Sequence, residues 1–210
     1  MLKKKIFVGL IALGIGSFAF ASGDKFVPAP EPFVHGIYVG FQGGYSLADW
    51  NSVVSDTSVW GVKNHSDFGL RGSLGWDIIK YLAIEAGYTQ FFNKPELTNL
   101  TTNPIVTYQP STWGTYAVDL AAKVKGPITD DFGLYGKAGG DYISIDKSLD
   151  GKSHDGFNAL FGAGLYYNFT PNFSVDFSWT RYDAVPKFYN VDYIPTYDLF
   201  AAGIYYKFTF

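Results

Sequence analysis

From Gly36 to the last residue, apolar and polar positions alternate with a period of two, and within each alternating stretch the apolar set keeps one parity. That period marks a strand with unlike faces, because successive side chains of a pleated strand point to opposite sides. Eight such rows follow one another. The first four are Ile37, Val39, Phe41, Gly43 and Tyr45; Phe68, Leu70, Gly72, Leu74 and Trp76; Leu82, Ile84, Ala86 and Tyr88; and Tyr116, Val118, Leu120, Ala122 and Val124. The fifth joins Phe132, Leu134, Gly136, Ala138, Gly140 and Tyr142, and the sixth takes the odd positions from Phe157 to Phe169. Phe173, Val175, Phe177 and Trp179 form the seventh, and Phe200, Ala202, Ile204, Tyr206, Phe208 and Phe210 the eighth.

The connections alternate as well. Those at 77–80, at 126–131 and at Thr170-Pro171-Asn172 are tight, whereas 48–67, 92–115, 144–156 and 182–198 are long and rich in Asn, Asp, Ser, Thr and Pro. An even number of antiparallel strands with short turns at one end and long loops at the other predicts an all-β fold, an eight-stranded antiparallel up-and-down transmembrane β-barrel over 36–210. Short turns then face the periplasm and long loops the exterior. Aromatic residues recur at both ends of the rows, with Trp76, Tyr81, Phe132, Phe169, Phe173 and Phe210 at one level and Tyr45, Tyr88, Tyr116, Tyr142, Phe157 and Trp179 at the other. Amphipathic rings gather in this way at membrane interfaces.

The N-terminus agrees. Lys3, Lys4 and Lys5 precede an apolar run from Ile6 to Phe20, closed by Ala19-Phe20-Ala21. The run is shorter than the roughly 20 residues of a spanning helix and carries a small-x-small cleavage site. It predicts a signal peptide over 1–21, export across the inner membrane, and a Pro-containing periplasmic lead-in over 22–35. With a strand at the end of the sequence, no following periplasmic domain is expected. The chain has no cysteine, so no disulfide framework supports the fold despite the oxidising compartment. A mean hydropathy of only +0.03 at 19% aromatic content fits interleaved apolar and polar faces. The formal net charge of −3 becomes −6 once the three signal lysines are removed, which argues against a nucleic-acid partner.

Three stretches carry a family resemblance: Gly36-Ile-Tyr-Val-Gly-Phe-Gln-Gly-Gly-Tyr45, Gly133-Leu-Tyr-Gly-Lys-Ala-Gly-Gly-Asp141 and Gly164-Leu-Tyr-Tyr-Asn-Phe-Thr-Pro-Asn-Phe173. The chain resembles the small eight-stranded outer-membrane barrels related to the transmembrane domain of outer-membrane protein A. The resemblance implies a location in the bacterial outer membrane, with outer-membrane lipid and lipopolysaccharide as surroundings and the barrel assembly machinery as a partner during biogenesis. It also implies a terminal aromatic assembly signal, here Phe210 with Phe208 and Tyr206. These motifs are architectural and say little about activity.

On the inward parity the charges balance. Arg71, Lys123, Lys125, Lys137 and Lys207 stand against Asp77, Glu85, Asp119, Asp141 and Asp176. An eight-stranded lumen is about wide enough for side chains to fill it, so these groups must pair or hold water. Arg71, Glu85, Asp119, Lys123, Lys137, Asp141, Asp176 and Lys207 form the expected interior charge network. Folding the hairpins places Arg71 diagonal to Glu85, Glu85 level with Lys123, and Asp119 between Lys137 and Asp141. Balance favours a filled polar plug over a selective pore, which would carry a ring of one sign. The expected function is therefore a structural and interaction protein of the outer membrane, and the alternative is a narrow channel for ions or small solutes.

No enzyme, cofactor or metal site is expected. His65-Ser66-Asp67 and Ser153-His154-Asp155 contain hydrolase residue types, but neighbouring residues point in different directions and a triad needs them in register. His35 reads as a periplasmic-edge residue. The four long segments are acidic and aromatic, with Trp50, Trp60, Tyr108, Trp113, Phe188, Tyr189, Tyr193 and Tyr197 among them. Such rings either pack the loops or offer a surface to a host or envelope partner.

Overall fold

In the computed structural model the described residues are 35–49, 60–63, 66–92, 96–99, 106–108, 115–145, 153–182 and 194–210. The signal peptide and the lead-in as far as residue 34 lie outside them, as do His65 and the loop aromatics Trp50, Trp113, Phe188, Tyr189 and Tyr193. Eleven strands are described: β1 (Gly36–Asp49), β2 (Trp60–Lys63), β3 (Ser66–Ile79), β4 (Leu82–Phe91), β5 (Glu96–Asn99), β6 (Val106–Tyr108), β7 (Tyr116–Pro127), β8 (Phe132–Ile145), β9 (His154–Asn168), β10 (Phe173–Tyr182) and β11 (Thr196–Thr209). Eight of them close a barrel in the order β1-β11-β10-β9-β8-β7-β4-β3, with β1 pairing both β11 and β3. Every pair is antiparallel.

The predicted parity holds around the wall. Val39, Phe41, Leu74, Leu120, Phe177, Ile204 and Phe208 are exposed on the outer face, and the chain neighbours Tyr38, Ala121, Ser178 and Tyr205 are buried inside. In a soluble barrel the apolar set would be the buried one, so the inversion identifies a wall that faces lipid. The barrel strands run from 10 to 15 residues, at or beyond the roughly 9–11 that cross hydrocarbon.

Three details differ from the sequence expectation. The first tight turn sits at Lys80-Tyr81 rather than 77–80, because the β3–β4 register shifts between Asp77 and Ile79. Two long segments contain strands that no alternation announced: β2, β5 and β6 form a separate three-stranded antiparallel sheet. Strands of three or four residues are too short to display a period; β5 and β6 pair within one segment and β2 joins them from the other. Finally, Tyr197 and Asp198 belong to β11 rather than to a loop.

Close approach of the wall's backbones depends on glycine at two places. A Cβ on Gly44 would collide with the carbonyl oxygen of Phe200 across the β1–β11 seam, and one on Gly139 with that of Leu120 across β7–β8. The other tight turns are closed by backbone hydrogen bonds onto the carbonyls of Phe132 and Phe173, and threonine side chains add to them. At 170–173, Thr170 Oγ1 accepts the backbone N–H of Phe173 at 2.9 Å, and at 129–132 Thr129 Oγ1 accepts that of Phe132 at 3.0 Å.

Candidate functional site: the barrel interior

The inward side chains sort into layers along the barrel axis. Register sets the layers, since it decides which inward residues share a height.

At the turn end, Asp77 on β3 takes ion pairs from Lys125 of β7 and Lys207 of β11, the latter at 2.8 Å. Both lysines are partly exposed, at 20% and 25% of their side-chain surface. Lys207 therefore stands apart from the central network expected of it, and Asp77 and Lys125, left out of that network, form a cluster with it.

In the middle layer Arg71 donates from Nη2 to Glu85 Oε1 at 3.1 Å and to Asp119 Oδ1 at 2.9 Å, while its Nη1 engages the other Asp119 oxygen. The same Nη1 reaches Thr89 Oγ1 at 3.3 Å and the Tyr182 hydroxyl at 3.0 Å. Such a forked arrangement suits guanidinium, whose planar donors match carboxylate geometry. Glu85 is the hub. It also pairs with Lys123 at 3.1 Å and Lys137 at 3.6 Å and accepts the Tyr38 hydroxyl at 3.0 Å. Arg71, Glu85 and Lys123 thus come together, Lys137 joins them on Glu85 rather than beside Asp119, and Asp119 does not lie between Lys137 and Asp141. Register sets Asp119 directly opposite Asp141 and Lys123 opposite Lys137, like beside like, so charge is neutralised toward β3 and β4 rather than along the β7–β8 hairpin.

Lys123 has a second set of partners. Its ammonium lies 4.0 Å from the Tyr135 ring centroid, 4.9 Å from Tyr205 and 5.4 Å from Tyr38. Three tyrosine faces around one buried cation compensate for part of its lost hydration. Asp176, assigned to the charge network, is held instead by neutral donors: Tyr135 OH at 2.6 Å and Gln42 Nε2 at 3.0 Å. The cage and Gln42 were missed at the sequence level. Their only signal was tyrosine on the inward parity facing glycine, since a Cβ on Gly75 would overlap Tyr38 and one on Gly164 would overlap Tyr135.

The loop end of the lumen departs most from a polar interior. Phe91, Ile143, Ile145, Leu160, Tyr182, Tyr197 and Leu199 are all buried to 1% exposure or less and cluster with Ile194. Phe91 stacks on Tyr197 at 4.3 Å and meets Tyr182 edge-on at 5.3 Å. The expectation of a filled polar interior describes the middle and turn-end layers, and this end departs from it. The inward positions at this end are mostly aliphatic and aromatic, with Ser46, Thr115 and Thr196 buried among them.

On the outer surface, Trp179 Nε1 donates to Asp198 at 2.8 Å and Arg181 pairs with the same carboxylate at 3.3 Å. Phe210, Phe208 and Tyr206 are exposed on the lipid face of β11, Tyr206 and Phe208 in edge contact at 4.9 Å. Of the hydrolase-like tripeptides, Asp155 lies on the outer parity, where it accepts Tyr142 OH at 2.8 Å, and His154 on the opposite one. Asp67 Oδ1 caps the backbone N–H of Phe68 at 2.7 Å.

The model of the outer membrane protein beta-barrel domain matches residues 8–208 of the chain. An uncharacterized protein of Coxiella burnetii is 25% identical over 98% of this chain and 99% of its own length. Outer membrane protein A of Escherichia coli O157:H7 is 23% identical over 94% of this chain and 54% of its own length, so the chain spans about half of that relative. Among solved structures, outer membrane protein OprG of Pseudomonas aeruginosa shares the fold with a TM-score of 0.55 at 13% identity, over 83% of this chain and 97% of that one. The N-terminal β-barrel domain of OprF from the same organism matches with a TM-score of 0.51 at 16% identity, over 84% of this chain and all of that one.

Proposed function

We infer function from one premise: the chain belongs to the outer membrane protein beta-barrel domain family, and it is a barrel of the bacterial outer membrane. The reading that goes with this geometry is a structural and interaction protein with a closed, filled interior. One observation carries it. The central charges compensate each other, and their side chains are 0% exposed at Arg71 and Glu85, 1% at Lys137 and 7% at Lys123. A conducting pathway would have to break Arg71, Lys123 and Lys137 away from Glu85 together, and parting a buried ion pair costs about 3–5 kcal/mol.

In this reading the outer wall takes lipid and lipopolysaccharide, the assembly machinery receives the terminal strand, and the long loops are offered to a host or envelope partner. Support for the last part comes from the acidic and aromatic composition of the loops. Recording from refolded mature protein in planar bilayers tests the closed interior. Electrical silence at neutral pH is expected, and stable ion-selective unit conductance would replace this reading with the narrow channel.

A further inference from the structure

The lumen is charged at one end and largely apolar at the other. Its turn-end mouth holds Asp77 with the partly exposed Lys125 and Lys207, its middle the Glu85 network, and its loop end mainly rings and aliphatic chains, with the hydroxyls of Ser46, Thr115, Thr180 and Thr196 buried among them. All eight barrel strands meet at that end. Ala48 comes from β1, Phe91 from β4, Ala117 from β7, Ile143 and Ile145 from β8, Leu160 from β9, Tyr182 from β10, and Tyr197 and Leu199 from β11. On β3 the inward Gly69 makes room for them, since a Cβ there would come within 2.8 Å of Leu199 Cδ1. Tyr182 joins the two regions, with its ring against Phe91 and its hydroxyl on Arg71 and Thr89.

We propose that this apolar stopper, and not the charge network beneath it, is the barrel's outer seal, so that the interior is a blind polar pocket open toward the periplasm. The inference rests on the closed-barrel reading above and says which layer does the closing. A polar cavity can hold water bound to its groups, whereas an apolar one of the same size stays dry. An ion can exchange hydration for carboxylates and lysines in the middle layer. At the stopper it meets mainly hydrocarbon and aromatic edges and a few neutral hydroxyls, so the barrier to permeation stands there, as at hydrophobic constrictions that gate by dewetting. The charge network then serves to fill and order the barrel, and loosening it hydrates the pocket from the periplasmic side without opening the outer face.

Planar-bilayer recording on folded, full-length mature protein separates the two layers. The Glu85→Gln/Lys123→Gln variant is expected to be as silent as wild type. Adding Phe91→Ala and Tyr197→Ala in that background is expected to yield discrete unit conductance, with heat-modifiable electrophoretic mobility confirming the fold. Conductance in the charge variant, or silence of the folded quadruple variant, overturns the stopper as the seal; conductance in wild type overturns the closed-barrel reading itself, and the stopper with it.

A second measurement needs no disruptive change. The chain has no cysteine, so single thiols can be placed at Ser174, inward near the turn end, and at Ala117, inside the stopper. In proteoliposomes of uniform orientation, a small charged methanethiosulfonate is expected to modify the Ser174→Cys thiol from the turn side at least tenfold faster than the Ala117→Cys thiol from either side. Rapid modification of the Ala117→Cys thiol from the loop side overturns the proposal.

Discussion

At the scale of the residue, Glu85 is the group on which the interior turns. It pairs with Arg71, Lys123 and Lys137 at once, Asp119 sharing Arg71 with it, and the direct opposition of Lys123 and Lys137 in register makes the two lysines converge on this one carboxylate. Glu85→Gln is expected to lower unfolding stability by about 3–5 kcal/mol, the usual cost of orphaning buried charge. Lys123→Gln in the same chain should return part of that loss, with a coupling of about 1–3 kcal/mol in a double-mutant cycle from urea refolding titrations. Additive effects would mean that the two side chains do not share a network. Gly87 supplies an independent check, because a Cβ there would enter the space of the Arg71 guanidinium. Gly87→Ala should therefore destabilise by about 1–3 kcal/mol as an overpacking change, although it alters no charge.

At the scale of the element, β7 shows how parity becomes energy. Leu120 is 60% exposed on the lipid face and Ala121, the next residue, is 2% exposed toward the lumen. Leu120→Arg is expected to cost about 2–4 kcal/mol near mid-membrane, whereas Ala121→Ser should be nearly neutral. Refolding titrations of the two variants compare them directly, and a harmless Leu120→Arg would place the wrong face in lipid. The strands also explain which interior contacts could be anticipated. Arg71, Glu85 and Lys123 were legible because neighbouring strands and tight turns place them at similar depth. The partner of Asp119 was not, because Arg71 lies two strands away and the β7–β8 register sets Asp119 against Asp141.

At the scale of the whole molecule, closure rests on β11, which pairs with β10 on one side and β1 on the other. Its last residue, Phe210, is 74% exposed and its backbone N–H reaches the carbonyl of His35 at 3.4 Å, at the start of the first strand. An open edge in hydrocarbon would leave unpaired backbone groups, each costing several kcal/mol. Deleting Phe210 or replacing it with Asp is expected to reduce heat-modifiable folded protein in outer-membrane fractions. Unchanged yield and mobility would remove this residue from the assembly signal.

Alternation of period two is a local property, so the sequence by itself determined the barrel strands, their lipid-facing side and the inward placement of the charges that line the lumen. It also bounded the family, because an even set of such strands with unequal turns has few other ways to satisfy its backbone in a membrane. Tertiary structure alone decided the rest. Whether Lys207 met Asp77 or Asp176, whether Lys123 lay among three tyrosines, and whether the loop end was charged or largely apolar all depended on register around a closed ring. Register is a relation between strands distant in the chain, and a shift of two residues keeps every side chain on its face while changing every partner.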